Sequence, residues 1–342
     1  MTRTTQVLAG CAVGCAILLL AAVGACVGFV AWLKRPGELL EPGVLLDQST
    51  LAHVEWTLRL EDPGTEQAFR AVLEAVNDTR PVVPILPDAI QRLSRQRDER
   101  EMRQFFPLVA TWSLRRGAAG AHDHLFGASV PNLGNWILIA DWFLGFTAGR
   151  DGDLEQIEHL GEQIYRMRKT DAAFFIRRNG VFITTDVERA RSTVEALERR
   201  EPAAAAPEEL RRLLDGLPGT VALRGAAVNE AGACATILAW LTGDPVEDID
   251  LSTVRALTLA GGFTPGAGFE ATLTVLSDDP RWGASHADRL AAALAARLGE
   301  EVTAVEPAAD PLALRISVDD PAGAVRRRLD FLLTRPAPAA RE

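Results

Sequence analysis

The sequence predicts an α+β protein in two parts, an N-terminal transmembrane helix followed by a mainly antiparallel sheet body built from repeated strand-strand-helix units. Three observations carry that prediction. An uncharged, largely apolar run extends from Val7 to Leu33. Beyond it, a unit of strand, tight turn, strand and amphipathic helix recurs three times. The strands are joined as hairpins and are not separated singly by helices, which favours antiparallel pairing over a βαβ sheet.

The apolar run is preceded by Arg3 and closed by Lys34-Arg35-Pro36. At about 1.5 Å per helical residue its 27 positions reach roughly 40 Å, more than a hydrocarbon thickness of about 30 Å, so it can span a bilayer with tilt. A cleaved secretory signal fits poorly, because such signals have apolar cores of only about 7–15 residues. Val23-Gly24-Ala25-Cys26 resembles the lipobox that lipoprotein signal peptidase cleaves before a cysteine, so lipidation at Cys26 stands as the alternative anchor. Against it, cleavage there would leave the apolar stub Val27 to Leu33 where lipoproteins usually turn polar. Gly10, Gly14, Gly24 and Gly28 form two small-residue pairs whose starts lie 14 residues apart, just short of four turns, so all four share one helix face. That face permits close approach of a second helix and hence a homodimer, although glycine is common in any membrane helix. The flanking charges are nearly balanced and lean weakly towards a cytoplasmic body. A short tail before one long helix is how many exported domains are tethered, and the expectation is a single-pass protein with an extracytoplasmic body.

The organisation that follows is an anchor with a short tail (1–35), a Pro/Gly-containing juxtamembrane linker (36–47), an α+β body (48–335) and a disordered tail (336–342). Glu201 to Pro207 is the one plausible subdomain boundary. Without Arg3, Lys34 and Arg35 the chain holds 33 basic against 46 acidic residues, or −13, which repels nucleic acid and anionic headgroups on average. The Arg326-Arg327-Arg328 run fits a solvated helix face. Three of the four cysteines lie in the apolar run, and Cys234 alone remains in the body, so the body has no disulfide framework and depends on an ordinary core.

In order, the body opens with a strand from Ala52 to Leu60. Asp62-Pro63 then starts a helix with Phe69, Val72, Leu73 and Val76 on one face, and Pro81 to Pro87 breaks it. A charged helix near 88–104 leads into a strand from Leu108 to Leu114. Gly117 to His124 reads as a loop, followed by a hairpin of Leu125 to Val130 and Trp136 to Asp141. The clearest repeated unit is Ala172 to Arg177, Asn179-Gly180, Val181 to Thr184 and a helix with Val187, Ala190, Val194 and Leu197 on one face, capped by Thr185 with Glu188. Glu208 to Leu214 reads as a short helix, Thr220 to Val228 as a strand and Cys234 to Leu241 as an apolar helix. The second unit runs Val254 to Phe263, Phe269 to Leu276 and a helix with Leu290, Leu294 and Leu298, capped by Ser285 and Asp288. The third is Val302 to Val305, Leu312 to Val318 and a helix opened by Asp320-Pro321.

The anchor, the segment Trp136-Ile137-Leu138-Ile139-Ala140-Asp141 and the segment Phe174-Phe175-Ile176-Arg177-Arg178-Asn179-Gly180-Val181-Phe182-Ile183-Thr184-Thr185-Asp186 together resemble a group of uncharacterised bacterial single-pass membrane-anchored proteins with a domain of unknown function. The resemblance covers roughly residues 130 to 280 and its motifs are not specific. It implies an exported, non-enzymatic body and supplies no catalytic residues.

Few residues suggest chemistry. His122-Asp123-His124 has the one clustered metal-type spacing, with His159 and Asp141 as further candidate ligands, and zinc would need two more ligands converging on the pair. Asp141, at the end of an apolar strand beside Trp142 and Phe143, is placed where burial could raise its pKa as a general acid requires, but no partner is identifiable. Cys234 sits in an apolar helix and reads as a buried, inert thiol. Gly261-Gly262 and Gly266-x-Gly268 close a hairpin and precede no helix N-terminus, so they make no dinucleotide site. Gly127-Ala128-Ser129-Val130-Pro131 lacks the second glycine of a nucleophile elbow. The sequence therefore points to an envelope protein with a structural or binding role, no cofactor, and the bilayer as partner through residues 7–33. The alternative is an envelope enzyme with an unrecognised site near His122, His124 and Asp141.

Overall fold

Strand β1 (Thr50–Leu58) lies at the middle of a 12-stranded antiparallel sheet, between β2 (Leu108–Arg116) and β8 (Leu223–Val228). The computed structural model describes residues 40–62, 64–66, 106–117, 122–131, 141, 145, 154–168, 171–177, 180–199, 206–219, 221–242, 249–265, 268–298, 301–304 and 311–318. On one side of the centre the sheet continues through β3 (His122–Ser129), β7 (Gly180–Thr184), β6 (Ala173–Arg177), β5 (Glu162–Met167) and β4 (Leu154–His159). On the other it continues from β8 through β9 (Val254–Phe263), β10 (Phe269–Ser277) and β12 (Leu312–Val318) to β11 (Glu301–Ala304). The α+β class and antiparallel sheet are as the hairpin pattern predicts.

Among the described residues four α-helices accompany the sheet: α1 (Val187–Arg199), α2 (Glu208–Asp215), α3 (Ala233–Thr242) and α4 (Trp282–Leu298). Side chains alternate across a strand, so a strand can bury one set of residues under a helix. In β12, Leu312, Leu314, Ile316 and Val318 are buried and alternate with more exposed residues. They join Leu273 and Val275 of β10 against Leu238 of α3 and Leu290 and Leu294 of α4. On the opposite face, Leu125, Phe175 and Phe182 pack under Ala190 and Val194 of α1, with the two phenyl rings stacked at 4.9 Å. Leu210 and Leu214 of α2 lie over Ala226 and Val228 of β8 on that same α1 face.

Gly225 of β8 shows how tightly the central strands approach: a Cβ there would come within 2.8 Å of Val54 Cγ2 and 3.1 Å of the His53 carbonyl oxygen. Residues ahead of β1 also pack, from Leu40 onward. Pro42–Leu45 forms a 3-10 turn, Leu45 is 1% exposed, and Leu40 lies against the α1 core.

Several expectations need correction. Residues 122–124 belong to β3 and not to a loop, because they continue the register Leu114–His124, Arg115–Asp123 and Arg116–His122 with β2. Asp141 is helical and does not end a strand. Helix α1 is capped by Asp186, whose Oδ1 accepts from the Arg189 amide at 2.8 Å, while Thr185 Oγ1 is buried with no hydrogen-bond partner among the described residues. Ser285 lies inside α4, whose entry is set by Asp279 accepting from the Arg281 amide at 2.9 Å. Hairpin β4–β5 was not predicted, and it turns at Leu160 and Gly161, with φ of 52° and 79° in the left-handed region that favours glycine. Residues 7–33, with Gly10, Gly14, Gly24, Gly28 and Cys26, lie outside the described residues, as do 67–105, 136–140 and 319–342. Among the described residues no helix is long and apolar enough to cross a membrane.

Candidate functional site

Strand β3 sends His122, His124, Phe126 and Ala128 to the face that carries α3 and α4, and Asp123, Leu125, Gly127 and Ser129 to the face under α1. Phe126 is paired with Ile183 of β7, and Ile183 with Phe174 of β6, so three apolar side chains form a row across adjacent strands. Phe126 and Ile183 are 43% and 44% exposed. With Leu160 they are the exposed large hydrophobics among the described residues, so apolar exposure here is concentrated and not scattered. The Trp112 ring lies on the β2 side of the row, 6.4 Å from Phe126.

The two histidines border this row. His124 accepts at Nδ1 from Trp112 Nε1 at 3.3 Å, and burial, with His122 next to it, holds its pKa below the ordinary histidine value. His122 Nδ1 lies 3.0 Å from Thr236 Oγ1 of α3, and its Nε2 is buried with no hydrogen-bond partner among the described residues. Of the acids nearby, Asp123 projects to the other face and pairs with Arg189 at 3.2 Å, and Glu230 pairs with Arg116. Among the described residues no group of three or more candidate ligands could hold a metal ion.

Asp141 belongs elsewhere. Tyr165 of β5 donates to its Oδ1, at 3.0 Å, with the Asp141 carbonyl oxygen at 3.1 Å from the same hydroxyl. Burial raises the Asp141 pKa, and the Tyr165 hydrogen bond offsets part of that rise. Tyr165 stands three strand spacings from β3, about 14 Å at some 4.8 Å per strand, so Asp141 does not converge with His122 and His124. His159 is 3.2 Å from Glu195 and ties β4 to α1. Cys234 is fully buried, with its thiol pushed up to about 12 by burial, as expected of an inert cysteine.

Sequence reasoning missed a band of buried polar side chains on the α1 face of the central strands. His53 Nδ1 is 2.9 Å from Ser113 Oγ, and burial, followed by the charges of Arg115 and Arg224, lowers its pKa to about 3. Glu55 pairs with Arg224. Arg115, 2% exposed, holds Asp47 at 3.0 Å and donates to the Leu45 carbonyl oxygen. Arg177 donates to the Val194 carbonyl oxygen at 3.1 Å and pairs with Glu162 at 3.2 Å and with Glu198. The Ser113–His53 contact has the atoms of a nucleophile and its base, but the two residues are 0% and 1% exposed, and Glu55, the nearby carboxylate, is held by Arg224. The band positions strands and the strap at 40–47 and presents no reacting atom to a substrate. The α3-side face at Phe126 and Ile183 is the better candidate for contact with another molecule.

No family model matches the sequence, and no curated protein matches it. Among solved structures the chain is similar to TP0453, a Treponema protein, with a TM-score of 0.44 and 12% identity over 84% of this chain and 98% of that one.

Proposed function

We propose that this chain is a membrane-anchored, extracytoplasmic, non-enzymatic structural or binding protein of the bacterial cell envelope. The observation that carries the reading is the apolar run Val7–Leu33 directly ahead of a large folded α+β body. The exposed Phe126–Ile183 pair supports a binding role, because neighbouring apolar side chains left in water at mid-strand gain free energy when a partner covers them. The separation of Asp141 from His122 and His124 weighs against an enzyme at those residues.

A topology measurement tests the proposal. A cysteine replacing Ala339 is probed in intact cells with a membrane-impermeant thiol reagent, with lysed cells as control. Labelling of intact cells is expected, and labelling only after lysis would overturn the extracytoplasmic placement. The glycine face of the anchor is proposed to support a homodimer. Replacing Gly14 and Gly24 with Ile is expected to abolish the detergent-stable dimer, and an unchanged oligomer distribution would rule out that mechanism.

A further inference from the structure

The segment between the apolar run and β1 is short, and most of it is not free. Leu45 and Leu46 are 1% and 9% exposed, and Leu40 packs against the core under α1. Asp47 is the fastening point. Its carboxylate takes Arg115 at 3.0 Å and Arg189 at 3.5 Å, and it accepts from the Ser49 amide at 2.9 Å and the Ser49 hydroxyl at 2.6 Å. Arg115 also holds the Leu45 carbonyl, and the Arg116 amide donates to the Ser49 carbonyl at 2.8 Å. Backbone bonds close the turns: Val44 donates to Glu41, Leu46 to Gly43 and Thr50 to Asp47, at 3.0–3.2 Å. The guanidinium of a residue deep in β2 thus reaches back across 68 positions to grip the strap.

Between Arg35 and Leu40, the first described residue and already packed, lie only residues 36–39, and one of them is Pro36. Five backbone steps span at most about 17 Å, against about 51 Å for the 15 steps from Arg35 to Thr50 were the strap loose. We infer that residues 40–47 form a docked strap that holds the body against the lipid headgroup surface, with the end of the fold where Pro42–Leu45 meets α1 turned towards the bilayer. This rests on the reading of Val7–Leu33 as a membrane span. On α1 itself Glu188 is paired with Arg191 and Glu195 with Arg199, so these acids carry their own cations into any contact with zwitterionic headgroups. Release of Asp47 would lengthen the leash about threefold without breaking the chain.

The test uses the full chain in phosphatidylcholine vesicles containing a headgroup-labelled acceptor lipid. The donor dye is placed at Glu188→Cys, on the exposed first turn of α1, with the four natural cysteines replaced by alanine. Strong energy transfer is expected, with a clear loss after a ten-residue Gly/Ser insertion between Gly37 and Glu38, and a comparable loss for Asp47→Ala or Asp47→Asn. Equal transfer in all four proteins would overturn the strap. Failure of the chain to enter vesicles would instead overturn the membrane reading. Hydrogen exchange of the unmodified chain provides the second readout: the amides of Val44, Leu46 and Thr50 should be protected while 37–39 exchange freely. Equally fast exchange throughout 37–47 would overturn the strap even if the Asp47 variants fail to fold.

Discussion

Strands β9, β10 and β12 on one side of the sheet, and β3, β7, β6 and β5 on the other, each lie beneath helices, yet the contacts under those helices differ in kind. Under α3 and α4 the core is aliphatic, with Leu257, Leu273, Leu290, Leu294 and Leu314 at 3% exposure or less. Under α1 the apolar cluster is smaller and is bordered by buried Arg177, Arg115 and Thr193. Among the described residues, every buried polar or charged side chain precedes residue 200. The C-terminal side is therefore held by non-directional burial, and the N-terminal side by directional pairs whose strength depends on geometry and on protonation. The second kind of cohesion can be switched locally, and it is the kind that fastens the strap.

The largest expected effect is on the aliphatic side. Leu294→Ala should cost about 3–4 kcal/mol in urea unfolding, as for a large-to-small change at a fully buried site, with little dependence on salt. Arg177→Ala should cost less, about 2–3 kcal/mol, because its carboxylate partners Glu162 and Glu198 are partly exposed and regain water. Its loss should appear as faster hydrogen exchange in β6, β7 and α1, with β9, β10 and β12 unchanged. Uniform acceleration would mean that the two sides are not energetically distinct.

Acid should weaken the polar side. His53 titrates near 3 when folded and near 6.5 when unfolded, so between those values the unfolded chain takes up a proton that the native chain refuses, and stability falls as the pH falls through that window. Asp47 acts in the same direction lower down. Burial alone would raise its pKa, but Arg115, the Ser49 hydrogen bonds and Arg189 outweigh that and hold it below the ordinary carboxylate value, so its contribution is lost as the pH drops below about 4. Asp141, with its raised pKa, is stabilised by protonation and opposes both. Urea midpoints should decline from pH 7 to pH 5, and His53→Gln should flatten the decline. A slope unchanged in that variant would remove His53 as its source. The smallest effect is expected on the half-exposed face: Phe126→Ser with Ile183→Ser should cost about 1–2 kcal/mol in stability while lowering the binding of an environment-sensitive apolar dye.

The hairpin-helix units were legible because period-2 and 3.6-residue patterns are local. Ala173–Arg177, Gly180–Thr184 and Val187–Arg199 lie within a few residues of where those patterns place them. Hairpin β4–β5 was hidden because Glu155, Gln156, Glu158, Glu162 and Gln163 break the apolar alternation, and because its turn uses Leu160-Gly161 in place of an Asn-Gly signal. His122 and His124 looked like loop residues beside Gly117 to Ala121, and only their register with β2 makes them strand. The open face was invisible for a different reason. Phe126 and Phe182 occupy equivalent-looking apolar strands, but a one-residue difference in parity leaves Phe126 exposed and Phe182 2% exposed. Arg115 and Asp47 are far apart in sequence, so no local pattern announces their contact.

Among the described residues the sheet ends at β4, and that end has a consequence for crowding. Molecules confined to two dimensions meet one another far more often than in free solution, and an unpaired strand rim offers each newcomer a ready backbone template. Strand β4 presents Glu158, and beside it Glu155 in an ion pair with Arg166 at 3.3 Å, so an approaching copy that set Glu155 opposite Glu158 would bring carboxylates together. The acidic rim thus disfavours addition of a second copy at that border, because backbone pairing there would have to be formed against carboxylate repulsion.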